Sequence, residues 1–349
     1  RFSFYGMKYL LLLYLTKYHL FSDKNGLEVL GSYAALVYAL PVIGGMLADR
    51  YLGMRKAVIF GGSLLVLGHL GMAIEGEQAR YINGDIIRDE VALQFFYASL
   101  AFIVVGVGFL KPNISTIVGQ LYTEDDPRRD PGFTIFYMGI NIGAFSATLL
   151  CGYLGETYGW SYGFGAAGIG MILGLITFIR GQGLLMGKAE PPDEKVLKEK
   201  ILSGISKEHI IYFSGLLGVS VIWQMLQFHS AVGLLLNILS LLVLSALVWF
   251  ITVKCDRIER GRMISLITLT LSAVVFWALF EQSAASMTLY ADRVMDRSIF
   301  GLNLTAAQFG SLNPLFIFIF APFFAWLWTF LSSRNLEPST PIKFSLGLA

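Results

Sequence analysis

Apolar runs of about twenty residues recur along the whole chain, and they restrict its possible folds more than any other feature. With a rise of 1.5 Å per residue, about twenty helical residues cross the roughly 30 Å hydrocarbon core of a bilayer. Of the 349 residues, 55% are hydrophobic and only 14% are charged, whereas an ordinary soluble domain carries about 25% charge. The sequence therefore predicts an all-α membrane protein.

The apolar runs divide the chain into ten predicted spans and a short final segment. A stretch that mixes Lys and Glu after two prolines is typical of a solvated connector between helical bundles. We therefore predict a first bundle at 1–187, a connector at 188–208, a two-helix hairpin at 209–253 and the start of a second bundle at 254–349. The spans lie at about 2–20, 30–48, 56–75, 92–121, 133–155, 162–180, 209–227, 230–253, 262–290 and 306–331.

Lys and Arg are distributed unevenly between the loops. If the N-terminus is inside, the inner loops hold 17 Lys and Arg residues and the outer loops hold 6. Because positive residues favour cytoplasmic loops, we predict a multi-pass protein with a cytoplasmic N-terminus. The net charge of +2 gives no broad basic field for nucleic acid. The two cysteines indicate neither a disulfide framework nor a metal site, and we expect no metal or other cofactor.

Two charged residues lie deep within predicted spans, where a charge costs roughly 2.5–3.5 kcal/mol on insertion scales. Lys111 follows a long apolar stretch that begins at Phe95, and Pro112 loosens the backbone beside it. Glu281 lies among aromatic residues in the span 262–290. Such a carboxyl group could bind and release a proton, with Lys111 as its natural partner. A permanent structural ion pair explains Glu281 equally well, whereas for Lys111 a functional role is the better interpretation.

The first span carries a cationic stripe. Arg1, Tyr5 and Lys8 are spaced i, i+4 and i+7, so they share one helix face that suits a carboxylate. Tyr38, Asn141 and Asn313 are uncharged polar candidates in other spans. For each of these three residues taken singly, hydrogen bonding between helices is the simpler interpretation.

Several motifs resemble those of known transporters. The turn at 45–56, GMLADRYLGMRK, resembles the conserved loop of the major facilitator superfamily and contains Asp49, Arg50 and Arg55. More specific matches are similar to motifs of the proton-dependent oligopeptide transporter family. They are RFSFYGMK at 1–8, FLKPN at 109–113, FTIFYMGINIG at 133–143, FWALFEQ at 276–282 and SLNP at 311–314.

This resemblance implies two six-helix bundles, with two additional helices between the halves in bacterial members. It also implies that this sequence is a fragment, without the extreme N-terminus and the last helices. It implies proton-coupled symport of di- and tripeptides across a cell membrane, the bacterial inner membrane, by a monomer and not an enzyme. Lys8 stands where many members have Arg.

The resemblance also assigns roles to the candidate residues. Arg1 and Lys111 would hold the peptide carboxylate, and Lys8 would add positive charge. Asn141 and Asn313 would contact the peptide backbone or amino end. Side-chain pockets would be lined by Tyr5, Tyr38 and Trp277. Glu281 would pair with Lys111 when ionised and release it when protonated.

Two alternative functions remain open at this point. Relatives of the family carry nitrate or other small organic anions, and the stripe of Arg1, Lys8 and Lys111 would suit any anion. A membrane-embedded receptor or enzyme is a different class. The spans contain no His-Glu-x-x-His sequence, nucleophile motif or Asp dyad, which counts against catalysis.

Overall fold

The computed structural model describes residues 1–126, 128–202, 204–299 and 301–348. Helices dominate it, and three short antiparallel hairpins lie between them. The hairpins pair Arg80–Ile82 with Asp85–Ile87, Lys200–Leu202 with Ile205–Ser206, and Ser298–Ile299 with Leu302–Asn303. The helices are α1 (Phe2–Leu13), α2 (Asp23–Leu47), α3 (Met54–Met72), α4 (Glu90–Gln120), α5 (Arg129–Thr157), α6 (Trp160–Arg180), α7 (Glu194–Lys198), α8 (Lys207–Gln227), α9 (His229–Val253), α10 (Arg257–Glu281), α11 (Ser286–Arg293), α12 (Leu312–Ser333) and α13 (Thr340–Leu348).

Eight helical segments in the described part of the chain are long and apolar enough to cross a membrane. Each corresponds to one of the ten predicted spans. The other two predicted spans are α1, which continues into a π-helical segment Tyr14–Tyr18, and α3, which begins beside Arg55 and Lys56. The prediction of an all-α, multi-pass architecture is therefore confirmed.

Side-chain caps fix where several helices begin. Ser22 accepts a hydrogen bond from the backbone N–H of Asn25 at the start of α2, and Asp89 does the same for α4. Asp256 and Glu259 form a reciprocal capping box at the start of α10. These caps satisfy backbone donors that have no partner within the helix.

The tightest helix contacts depend on glycine. Gly61 of α3 and Gly106 of α4 lie so close that a Cβ on Gly61 would be 2.6 Å from the Gly106 carbonyl oxygen. A Cβ on Gly44 of α2 would be 2.2 Å from the carbonyl oxygen of Gly108. Pro112 lies four residues after Gly108 and has no N–H, so it cannot donate a helical hydrogen bond to the Gly108 carbonyl oxygen. The glycines therefore let α2 and α3 pack directly on the backbone of α4.

The predicted continuous span 262–290 is wrong in one respect. Helix α10 ends at Glu281, and a 3-10 turn at Gln282–Ala284 separates it from α11. Ala285 between the two helices has φ −112° and ψ −110°, which is not a helical conformation. Glu281 therefore lies at a break between two helical segments.

The region after α6 contains its own small elements. The predicted connector 188–208 holds helix α7 and one of the short hairpins, and Leu197 of α7 is fully buried. Helices α8 and α9 are separated only by Phe228. Helix α8 packs against α4, and both α8 and α9 contact α2.

Candidate functional site

The central ion pair joins α1 to the break after α10. Lys8 Nζ lies 2.8 Å from Glu281 Oε2, and the Lys8 side chain is only 8% exposed. Tyr9 lies beside this pair, where its hydroxyl is 3.4 Å from the Ser283 hydroxyl. The first helix is therefore tied through polar contacts to a segment about 270 residues later in the chain.

Tyr38 of α2 connects this pair to Lys111. Its hydroxyl donates a hydrogen bond of 3.4 Å to Glu281 Oε1, and Lys111 Nζ lies 3.8 Å from the centre of its ring. A cation over a tyrosine face is attracted by the negative face of the ring. Among the described residues, Lys111 forms no ion pair. The predicted direct pair of Lys111 with Glu281 is therefore wrong for this structure, because Lys8 takes that carboxylate.

A cavity of about 270 Å³ adjoins the ion pair. Lys8, Tyr38 and Glu281 form its polar wall. The remaining lining comes from Phe4, from one side of α2 and from the turn after α10, and it is mostly apolar. A concave, mostly apolar space with a few convergent polar groups is the usual form of a small-molecule site. This cavity is our candidate substrate site.

A second cavity, of about 510 Å³, is lined by both Arg1 and Lys111. It surrounds the first residues of the chain, from Arg1 to Phe4, and shares Phe4 and Val37 with the smaller cavity. Arg1 and Lys111 thus line one space that adjoins the smaller cavity.

The other predicted site residues are less closely grouped. Tyr5 is half-buried near Arg1 and Glu281, and Asn141 is buried but donates to the Tyr137 carbonyl in its own helix, at 2.9 Å. Trp277 is 51% exposed and packs on Phe276 and Phe280. Asn313 lies exposed at the start of α12. The structure thus brings together Lys8, Tyr38, Lys111 and Glu281, but not Trp277 or Asn313.

The loop motif after α2 is held by the connector. Asp49 and Arg50 are exposed, whereas Arg55 donates two hydrogen bonds to Glu190, of 2.6 and 2.7 Å. This bidentate bond raises the pKa of the Arg55 guanidinium, so the group stays charged. The motif is therefore held by the carboxylate of Glu190, 135 residues after Arg55, and the sequence does not reveal this partner.

The family follows from comparison with known proteins. Residues 55–349 match the family model described as the POT family. The chain belongs to the POT family. The relatives and solved structures that it resembles are transporters, so the predictions of the family and of a non-enzymatic function are confirmed.

Two curated POT relatives match the chain over its whole length. The uncharacterized transporter YclF of Bacillus subtilis is 39% identical, and the chain covers 68% of it. The di-/tripeptide transporter of Lactococcus lactis is 32% identical, and the chain covers 70% of it. Among solved structures, that of the peptide transporter POT in complex with sulfate matches 99% of this chain and 69% of its own, with 36% identity and a TM-score of 0.79. This likeness confirms the predicted major facilitator fold.

Sequence reasoning does not single out several residues of the candidate substrate site. Gly31, Gln282 and Ala285 line the smaller cavity, although none carries a charge that would single it out. The sequence of α2 nevertheless contains one pattern that indicates part of this lining. Leu27, Gly31, Ala34 and Tyr38 follow the spacing i, i+4, i+7 and i+11, which places all four on one helix face.

Proposed function

We propose that this protein couples the entry of protons to the uptake of di- and tripeptides by alternating access. The observation that carries the proposal is the ion pair of Lys8 and Glu281 at 2.8 Å, between α1 and the end of α10. An ionisable pair at membrane depth, next to a cavity, is typical of a proton and substrate pathway. The di-/tripeptide transporter similar to this chain supports the choice of substrate.

The charge balance of the cluster explains how proton and peptide could bind together. Glu281 is one carboxylate near three cations, Arg1, Lys8 and Lys111. When Glu281 takes up a proton, Lys8 loses its only ion-pair partner among the described residues. An additional anion then becomes favourable, because unpaired cations are costly in a low-dielectric site. The peptide carboxylate would supply that anion, with Lys8 and Lys111 as its nearest ligands.

Alternating access requires the two halves to separate first on one side and then on the other. At the end predicted to be outer, α2 is joined to α11 by two hydrogen bonds from Arg293 to Asp23, of 2.6 and 2.7 Å. Lys17 adds a contact of 2.5 Å to Asp292. We propose that these pairs open when the outer side opens. We further propose a cytoplasmic N-terminus, a monomer in the cell membrane, and no cofactor other than the proton.

The test uses liposomes that contain the full-length protein and compares Glu281→Gln with the wild type. Gln keeps the size of the side chain but cannot bind and release a proton. We expect the proton gradient to drive dialanine accumulation at least tenfold less well in the variant, while exchange of dialanine across the membrane continues. A proton uncoupler should abolish accumulation by the wild type. Accumulation that resists the uncoupler, or that survives in Glu281→Gln, would overturn the coupling.

A second candidate is transport of another small anion, because the cluster carries more positive than negative charge. Competition distinguishes the two functions. Excess dialanine should reduce labelled dipeptide uptake strongly, and excess nitrate should leave it unchanged. Strong competition by nitrate together with weak competition by dialanine would favour the anion function.

A further inference from the structure

One face of α2 extends the candidate substrate site beyond its charges. Leu27, Gly31, Ala34 and Tyr38 all line the 270 Å³ cavity. Gly31 is seven residues from Tyr38, which corresponds to about 10 Å along the helix. The cavity therefore runs from a polar end at Tyr38 and Glu281 to an apolar end near Leu27.

Gly31 differs from the glycines that permit close helix packing. A Cβ added at Gly31 would meet no atom within 4 Å, whereas one at Gly44 in the same helix would lie 2.2 Å from backbone. The backbone at Gly31 is helical and has no positive φ. Neither helix packing nor backbone conformation requires glycine at position 31. Because Gly31 has no side chain, the cavity has free space beside it.

Two small residues and a tyrosine line the rest of the apolar end. Ala284 and Ala285, in the turn after α10, line the cavity together with Gly31. Tyr33 lines it too, and its buried hydroxyl has no hydrogen-bond partner in the described parts of the chain. The cavity volume of about 270 Å³ approaches the lower end of the roughly 300–1,000 Å³ range of ligand pockets, which leaves room for one bulky side chain.

We propose that Gly31 is a specificity-determining residue that leaves room for a large apolar side chain of the transported peptide. This inference rests on the proposed peptide transport. The peptide carboxylate binds at the cationic end, and one side chain extends along α2 toward Leu27. A larger residue at position 31 then excludes bulky peptides and still admits small ones.

The test measures uptake of dialanine, alanyl-phenylalanine and phenylalanyl-alanine by the full-length protein carrying Gly31→Ala or Gly31→Leu. A hydrophobic pocket discriminates roughly 10- to 200-fold for each methylene-sized change. We therefore expect Gly31→Leu to lower uptake of at least one aromatic peptide, relative to dialanine, by about tenfold or more. Gly31→Ala should show a smaller loss for the same peptide. The comparison of the two aromatic peptides identifies which residue of the peptide occupies the space.

Gly218→Leu is the matched control, because a Cβ at Gly218 in α8 also meets nothing within 4 Å and lies outside the cavity. It should leave the ratios of all three peptides unchanged. The inference is overturned if Gly31→Leu folds, as judged by its melting temperature, and lowers uptake of all three peptides equally or of none. If the wild type transports no peptide at all, the proposed function itself fails.

Discussion

Helices α4 and α9 are both strongly apolar, but they lie in different environments. The most apolar window of α4 has a mean hydropathy of 2.0 and is 72% buried, whereas that of α9 reaches 2.6 and is only 6% buried. Lipid accepts apolar side chains as readily as a protein core does, so hydropathy does not distinguish the two environments. What distinguishes α4 is its glycines and its contacts with α2, α3 and α8.

The largest expected effect is a difference in stability between these two helices. Phe96 of α4 is 2% exposed and packs on Tyr14 and Tyr97, so Phe96→Ala should cost about 3–5 kcal/mol in free energy of unfolding. Leu241 of α9 is 67% exposed, and Leu241→Ala should cost less than about 0.5 kcal/mol. Unfolding by denaturant in lipid bicelles measures both values. Equal losses would mean that the difference in burial has no energetic consequence.

A smaller effect on the free energy of unfolding is expected at the ion pair of Lys8 and Glu281, which joins α1 to the end of α10. Removing one member of a fully buried pair costs about 3–5 kcal/mol. Because the Glu281 side chain is 28% exposed, we expect Lys8→Met to cost about 2 kcal/mol. The double variant Lys8→Met/Glu281→Gln should recover most of that loss, since no unpaired charge remains. If the double variant instead lost the sum of the losses of Lys8→Met and Glu281→Gln measured singly, the pair would have no energetic coupling.

The smallest effect concerns the cap of α4. The backbone N–H of Ala92 donates to Asp89 and lowers the pKa of this carboxyl below its ordinary value of 3.8. The folded state therefore gains stability from ionised Asp89 above pH 3.8, and this gain is lost as pH falls through the lower folded pKa. The melting temperature should thus fall less steeply on acidification in Asp89→Asn than in the wild type. An unchanged acid slope in Asp89→Asn would contradict the role of this cap.

The sequence predicts the helices well and their interactions less completely. Apolar runs locate the spans, and the depth of Lys111 and Glu281 marks them as unusual, because a charge in lipid needs a partner. The choice of partner was not predictable, since it depends on which helix faces approach each other. Lys8 reaches Glu281, and Lys111 instead stacks on Tyr38.

Small residues show the same limit of sequence reasoning. Gly31 and Gly44 belong to one helix and are the same residue type, yet one opens a cavity and the other permits backbone contact. Their difference lies only in what is opposite them in space. The end of α10 at Glu281 was missed for a related reason, because Gln282, Ser283 and Ala284 contain no proline or glycine to mark a break.

Tyr38 contacts the cation Lys111 through its ring and the anion Glu281 through its hydroxyl. Both contacts belong to one rigid group whose position depends on two side-chain torsions. A single rotation about the first torsion would therefore break both contacts at the same moment. Lys111 and Glu281 would lose Tyr38 as their shared neighbour together. A displacement of Tyr38 caused at one of these residues would therefore alter the contact with the other, without any movement of the α2 backbone.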